Sequence, residues 1–261
     1  MKFFQRIGEG VLSLLEGVGS FSIFSWQTIR WIFAKPFDMQ SLVFQMNEIG
    51  IKSLPVGLVS SFFMGMVMAL QLGGPLERNL SGITSFMGGG IALAMIRELA
   101  PVITSVLLAG RVGSAMAAEV GTMRVTEQID ALTTLATNPV HYLSVPRFLA
   151  SITTIPLVVT LAVIVGTLGG MIISEIMFDI PYNLYIENAR RYVDPQDVFS
   201  GVSKSFFFGA EISLISVYTG FNASGGARGV GNATIAAVVL SIMMIIVSDY
   251  FLTYIFTLFG L

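Results

Sequence analysis

Long stretches with few or no charged residues dominate the pattern of this chain. Each run is about as long as a helix must be to cross a bilayer, roughly 20 residues, and polar segments separate the runs. The pattern predicts five membrane-spanning helices, over 53–75, 80–110, 148–174, 204–222 and 233–259. The glycine-rich stretch 222–232 is expected to be a turn between the last two. We therefore expect an all-α integral membrane protein with a single domain over residues 1–261.

The first 35 residues show a different, amphipathic period. Val11, Leu14 and Leu15 recur at helical spacing, while Arg6 and Glu9 fall on the opposite face. This pattern is typical of a helix that lies in the membrane interface without crossing it. A helix packed against the rest of the bundle would show the same pattern, and both interpretations can hold together.

The segment 111–139 is too polar to cross a membrane, yet it keeps a helical period. Val112, Met116 and Val120 form one apolar stripe, a second stripe follows, and Asn138-Pro139 ends the pattern. We expect two short amphipathic helices on the cytoplasmic side, with a charged face free for a partner. A solvated loop is the alternative, but a loop has no need for a sustained apolar stripe.

Composition supports the membrane assignment. Hydrophobic residues make up 54% of the chain and charged residues 11%, whereas soluble domains carry about a quarter charged residues. Because cytoplasmic flanks are rich in Lys and Arg, the basic residues place the N-terminus in the cytoplasm and the C-terminus on the other side. Nine basic residues fall inside, namely Lys2, Arg6, Arg30, Lys35, Lys52, Arg111, Arg124, Arg147 and Arg228, against Arg78, Arg190, Arg191 and Lys204 outside.

Several kinds of chemistry are missing from the sequence. The net charge of −2 argues against a nucleic-acid surface. The absence of cysteine excludes disulfides and cysteine zinc sites, and the single histidine, His141, excludes a histidine-pair metal site. No G-x-x-x-x-G-K-[ST] phosphate loop occurs, so the chain is not expected to bind ATP by that device.

Two charged residues interrupt the second predicted span. Arg97 and Glu98 fall inside it, where an ionised side chain costs about 2.5–3.5 kcal/mol on insertion scales. Neighbouring helical residues point about 100° apart, so each side chain is expected to find its own partner. Pro101 has no N–H, so the Arg97 carbonyl loses its helical hydrogen bond and the span should bend there. The two charges either line a transport site or form a salt bridge to another helix, with Glu211 as one possible partner.

Three runs in the centre of the chain resemble the signature of the MlaE/YrbE permease family. They are RELAP at 97–101, AGRVGSA at 109–115 and AEVGTMRVTEQIDAL at 118–132. The resemblance extends over nearly the whole chain and includes its length, its amphipathic start and its five spans. It implies a permease of the bacterial inner membrane that moves phospholipid between the inner and outer membranes and maintains the lipid asymmetry of the outer membrane.

The resemblance also implies partners. These are a second copy of the chain, two cytoplasmic ABC ATPase subunits that bind the ATP and magnesium, a STAS-domain protein and a periplasmic hexamer of an MCE-domain protein. In that picture 111–139 is the segment that couples the permease to the ATPase. The coupling residues would be Glu119, Gly121, Met123, Arg124, Glu127, Gln128 and Asp130.

A phospholipid needs an apolar cavity for its acyl chains and a cation near its phosphate. We expect the substrate site at the dimer interface, bordered by Met68, Leu72, Leu76, Arg97, Glu98 and Leu99. One alternative is an ion-coupled carrier that uses Arg97, Glu98, Glu211 and Asp249 as a relay. A lipid-modifying membrane enzyme and a passive scaffold are further alternatives.

Overall fold

The computed structural model describes residues 2–34, 38–79 and 86–260, and for residues 2–11, 13, 14 and 75–79 the backbone alone. The described residues are almost all helical, with no strand among them. The α-helices are α1 (Lys2–Trp31), α2 (Met39–Ile49), α3 (Leu54–Asn79), α4 (Met87–Ala94), α5 (Ala100–Leu108), α6 (Ser114–Val125), α7 (Gln128–Thr134), α8 (Val145–Phe178), α9 (Tyr182–Tyr192), α10 (Pro195–Phe221) and α11 (Gly226–Leu258). A 3-10 turn (Ile51–Ser53) joins α2 to α3, and π-helical turns (Met95–Leu99, Ala109–Gly113 and Val140–Ser144) join α4 to α5, α5 to α6, and the 139 region to α8.

Within the described residues, five helical stretches are long and apolar enough to cross a bilayer. They are Met39–Gly74, Met87–Val125, Val140–Phe178, Pro195–Phe221 and Gly226–Leu258. The prediction of an all-α protein with five spans is confirmed, and the chain is a multi-pass membrane protein. Residues 80–85 of the second predicted span lie outside the described residues.

The last two spans begin well before the residues that the sequence pattern predicted. The fourth span starts at Pro195 and not at 204, because Asp194 and Asp197 form a capping box in which each side chain accepts from the other's backbone N–H. The fifth span starts at Gly226, where Gly225 takes the left-handed conformation with φ +88°. The expected turn over 222–232 is therefore confined to the four residues before that helix.

The segment 111–139 does not hold two separate short helices. Its first half, α6, continues the second span, which is 39 residues long and therefore extends ~58 Å, well beyond a hydrocarbon core of about 30 Å. The apolar stripe of α6 packs inside the bundle: a Cβ on Gly121 would lie 3.3 Å from Ala223 Cβ, and Val120 is fully buried. Of the two predicted helices, only α7 is a separate element.

The N-terminal helix packs against the bundle through its second half. Phe24 is buried, with its ring centroid 5.6 Å from that of Phe221. The Thr28 and Ser144 hydroxyls lie 3.0 Å apart, and Ser20 Oγ lies 2.6 Å from the Tyr218 hydroxyl. Position in the membrane interface stays a prediction for this helix.

Close backbone contact joins the first and third spans. A Cβ on Gly65 of α3 would lie 1.7 Å from the Gly166 carbonyl oxygen of α8, and one on Gly169 would lie 2.3 Å from the Phe62 carbonyl oxygen. Small residues allow such approach in lipid, where packing replaces the hydrophobic effect as the force that joins helices. α8 packs against α2, α3, α5 and α10, and half of its most apolar stretch is buried.

Candidate functional site

Arg97 and Glu98 lie on the π-helical turn between α4 and α5. The Arg97 Nε donates to Asp197 Oδ1 over 2.5 Å, and Asp197 Oδ2 accepts from the Asp194 backbone N–H over 2.8 Å. One carboxylate therefore caps α10 and holds the guanidinium. Within the described part of the chain no other acceptor bonds to Arg97, whose side chain is 44% exposed.

Lys204 of α10 is the centre of a second group of contacts. Its Nζ donates to Glu98 Oε1 over 2.8 Å and to the Arg97 carbonyl over 3.0 Å. It also lies 2.9 Å from Asp249 Oδ1 as an ion pair, outside hydrogen-bond geometry. The Lys204 side chain is 1% exposed, so an ammonium is held inside the bundle by acidic groups from two other helices.

Lys204 supplies a hydrogen bond that the backbone loses at Pro101. Pro101 cannot donate to the Arg97 carbonyl, and Lys204 supplies the missing donor. As predicted, Arg97 and Glu98 find separate partners. Those partners are Asp197 and Lys204, and the suggestion of Glu211 is wrong, because the Glu211 carboxylate accepts from Ser248 over 3.0 Å.

Lys204 does not flank a span, and the structure corrects its assignment to the outer side of the membrane. It lies nine residues inside α10 and is buried, so it carries no information about orientation. Arg147, counted on the cytoplasmic side, is also buried and pairs with Glu119 over 2.8 Å. The predicted orientation rests on the remaining basic residues and stays a prediction.

The apolar residues predicted beside Arg97 gather in one part of the bundle. Met68, Leu72 and Leu99 are half-buried and pack against the same buried cluster, whose members include Met95 and Ile91. The side chain of Leu76 lies outside the described residues. Arg97 comes two residues before Leu99 in the chain, and a cation close to apolar side chains can hold a phosphate with its acyl chains.

The predicted coupling residues divide into a buried and an exposed group. Gly121 is buried and Met123 half-buried, while Glu119 is paired with Arg147. Arg124 Nη1 donates to Asp130 Oδ1 over 2.7 Å and so ties α7 to the end of α6. Glu127, Gln128 and Asp130 are exposed at the start of α7, and Glu127 holds a left-handed φ of +61°.

Residues 42–255 match the model of a family described as Permease MlaE. The chain belongs to the MlaE permease family. A protein of Rickettsia felis named "Probable ABC transporter permease protein" is 40% identical over 257 residues, 97% of this chain and 96% of its own. A Synechocystis protein named "Probable ABC transporter permease protein slr1045" is 42% identical over 210 residues, 80% of this chain and 79% of its own. The Arabidopsis thaliana "Protein TRIGALACTOSYLDIACYLGLYCEROL 1, chloroplastic" is 39% identical over 234 residues, 90% and 66% respectively.

Sequence reasoning missed three residues of the site around Arg97 and Glu98 in this MlaE-family protein. It also missed one exposed residue beside α7. Asp197, Lys204 and Thr253 complete the charged cluster, with Thr253 Oγ1 3.3 Å from Glu98 Oε1. The sequence pattern indicated that the Arg97 carbonyl lacks a helical hydrogen-bond donor. It did not indicate which lysine donates to it. Leu135, 75% exposed just after α7, extends the exposed surface of that helix. In the described residues, no group of three His, Cys, Asp or Glu side chains could hold a metal ion.

Proposed function

We propose that this chain is the permease subunit of an ABC transporter that moves phospholipid between the inner and outer membranes and so maintains outer-membrane lipid asymmetry. One observation carries the proposal. Arg97 sits inside a membrane span with its terminal nitrogens free of acceptors in the described residues, two residues before Leu99, which packs with Leu72 against a buried apolar cluster. A guanidinium of this kind binds a phosphate while the apolar side chains contact acyl chains.

The family and its relatives support this class of function. Two of the relatives described above carry names for an ABC transporter permease. The Arabidopsis relative is named for a galactosylated diacylglycerol, a lipid class with two acyl chains. Under this proposal ATP and magnesium bind to a separate ATPase subunit, and the permease itself carries no catalytic site.

The surface around α7 is the proposed contact with that ATPase. Glu127, Gln128, Asp130 and Leu135 are exposed together there. α6 continues directly from the second span, so a displacement at α7 reaches the π turn at Arg97 through one helical rod, 28 residues and ~42 Å long. ATP-driven approach of two ATPase subunits would thereby move Arg97 and its apolar neighbours.

The wider assembly completes the proposal. Two copies of the chain, two ATPase subunits, a STAS-domain protein and a hexameric MCE-domain protein would form the transporter in the inner membrane. The N-terminus would be cytoplasmic and the C-terminus periplasmic. The substrate would lie between the two copies, bordered by Met68, Leu72, Leu76, Arg97, Glu98 and Leu99.

Native purification with mass spectrometry tests this function. The chain should be isolated from its own membranes, and its bound lipids and proteins identified. We expect phospholipid together with an ATPase that carries a phosphate-loop motif. A chain without an ATPase whose transport continues without ATP would overturn the proposal in favour of the ion-coupled carrier that uses Arg97, Glu98, Glu211 and Asp249. Chemically altered lipid after turnover would overturn it in favour of an enzyme.

A further inference from the structure

A continuous apolar groove runs along α8, and none of the residues proposed for the transport site lines it. Two adjoining cavities of about 640 and 230 Å³ share Ile96, Val163 and Ile164 as lining residues. The larger cavity lies beside α9, and the smaller one continues between α8 and α10. Neither Arg97 nor Glu98 lines them.

The length of this groove matches one leaflet of a bilayer. Its lining residues on α8 extend from Val159 to Met171, twelve residues apart and therefore ~18 Å along the helix axis. Half of a hydrocarbon core of about 30 Å is roughly 15 Å. The groove thus has the reach of a single acyl chain that enters from the α9 side.

The wall of the groove offers almost no hydrogen-bonding group. Thr167 Oγ1 donates to the Val163 carbonyl over 2.8 Å, and the Tyr185 hydroxyl donates to the Thr167 carbonyl over 3.2 Å. Burial raises the pKa of the Tyr185 phenol above its ordinary value, so its proton stays in place for that bond. With the hydroxyls engaged internally, the wall presents carbon to its occupant.

One cation stands at the α9 end. Arg190 lines the larger cavity and is exposed. No carboxylate in the described part of the chain lies within ion-pair distance of it, in contrast to Arg97 and Lys204. Tyr182 and Tyr192 at the two ends of α9 are exposed, as tyrosines at headgroup depth commonly are.

We propose that this groove is a binding site for one phospholipid of the leaflet on the α9 side, with an acyl chain along α8 and the phosphate on Arg190. Charge and shape both select this occupant: the guanidinium matches a phosphate, and the carbon-lined groove of leaflet length matches an acyl chain. Its lining residues differ from those proposed for transport, so this proposal does not depend on that one.

Photocrosslinking in nanodiscs tests the site. The chain, purified with the proteins that accompany it, is reconstituted with phosphatidylglycerol that carries a diazirine in one acyl chain. Irradiation followed by peptide mass mapping should place crosslinks on α8 between Val159 and Met171. Arg190→Ala should lower their yield about fivefold, whereas the matched control Arg191→Ala, the neighbour that does not line the groove, should leave it within about twofold.

A second pair of variants tests the groove itself. Ile164→Trp fills it, while Ile172→Trp alters an exposed residue of the same helix outside it. Crosslinks should be lost in the first variant and kept in the second. Equal labelling of all lipid-facing helices that neither Arg190→Ala nor Ile164→Trp changes would show ordinary boundary lipid and overturn the proposal. Absence of lipid crosslinks on α8 between Val159 and Met171 would also overturn it, which is the result expected if a second chain fills the groove. Because occupancy is read without ATP, either result leaves the transport proposal standing.

Discussion

At the scale of single residues, Lys204 determines how charge is accommodated inside the bundle. An ammonium removed from water costs several kcal/mol unless acceptors surround it. Lys204 has two carboxylates, Glu98 and Asp249, and the Arg97 carbonyl within 3.0 Å. It therefore donates to the carbonyl that Pro101 leaves without a helical donor and lies between two acids as their shared cation.

Lys204→Met should destabilise the protein by about 3–5 kcal/mol, because it leaves Glu98 and Asp249 without a cation. Thermal unfolding in detergent measures the loss. Adding Glu98→Gln and Asp249→Asn should recover part of it, since the uncompensated charges are then gone. The matched control is Lys52→Met: Lys52 is 53% exposed and pairs with Glu48 one helical turn away, so its loss should cost less than about 1 kcal/mol. Equal melting of Lys204→Met and Lys52→Met would contradict the argument.

The backbone at Glu127 is strained, and the sequence pattern does not indicate this strain. A left-handed φ of +61° costs a residue with a Cβ about 1–2 kcal/mol. Glu127→Gly should therefore leave the α6–α7 turn as stable as before or slightly more so, while Glu127→Val should loosen it, because a β-branched residue resists this conformation. Limited proteolysis of the turn reads the difference. Gln128→Val, at a helical position next to it, should cleave at nearly the unmodified rate, and cleavage as fast as in Glu127→Val would refute the role of φ.

At the scale of elements, α10 carries a polar stripe with a period of seven. Asp197, Lys204, Glu211 and Tyr218 follow one another at this spacing, which keeps them within about 20° per step on one face of a helix. Each contacts a different partner: Arg97, Glu98 with Asp249, Ser248 and Ser20 respectively. The stripe binds α10 to the second span, to α11 and to α1. Its period is visible in the sequence, but its partners are not.

The contact of α3 with α8 depends on the absence of a side chain at Gly65. Gly65→Ala would place a Cβ within 1.7 Å of the Gly166 carbonyl oxygen, and two backbones cannot both hold their positions. We expect a loss of about 3 kcal/mol or more in stability. Gly74→Ala on the same helix meets nothing within 4 Å and should be neutral or slightly stabilising. Thermal unfolding of the two variants side by side checks this, and equal stability would show that α3 does not pack on α8 as described.

At the scale of the whole molecule, the continuous helix from Met87 to Val125 joins the two proposed working surfaces. Arg97 lies ten residues from its start, and Asp130 is on α7 just beyond its end. The two residues should therefore serve separable tasks: one contacts lipid and the other contacts the ATPase.

Arg97→Ala should lower the amount of co-purified phospholipid several-fold and leave ATPase binding unchanged. Asp130→Arg should do the reverse, because it breaks the pair with Arg124 and inverts the charge of the exposed face of α7. Quantitative lipid analysis and pull-down of the ATPase subunit measure the two effects on the same preparations. If both variants lose lipid and ATPase alike, the division of labour is wrong.

The sequence by itself determined the properties that depend on the solvent and on neighbouring residues. Apolar runs of bilayer length predicted the spans, and Pro101 predicted that the Arg97 carbonyl lacks its helical hydrogen bond. Both predictions succeeded because both effects act within a few residues of the chain. The sequence pattern also placed the start of α10 nine residues too late, because the capping box at Asp194 and Asp197 was not recognised. Lys204 therefore appeared to flank the span, whereas it is buried inside the helix.

Only the tertiary structure decided which groups meet. Lys204 and Glu98 are 106 residues apart, and Arg97 and Asp197 are 100 apart, so their pairing depends on how α10 packs against the second span. The apolar stripe of α6 could equally have served a surface helix, and it was the close approach of Gly121 to α10 and α11 that placed it inside. Contacts between distant helices follow from the packing of whole surfaces, and no window of the sequence contains both partners.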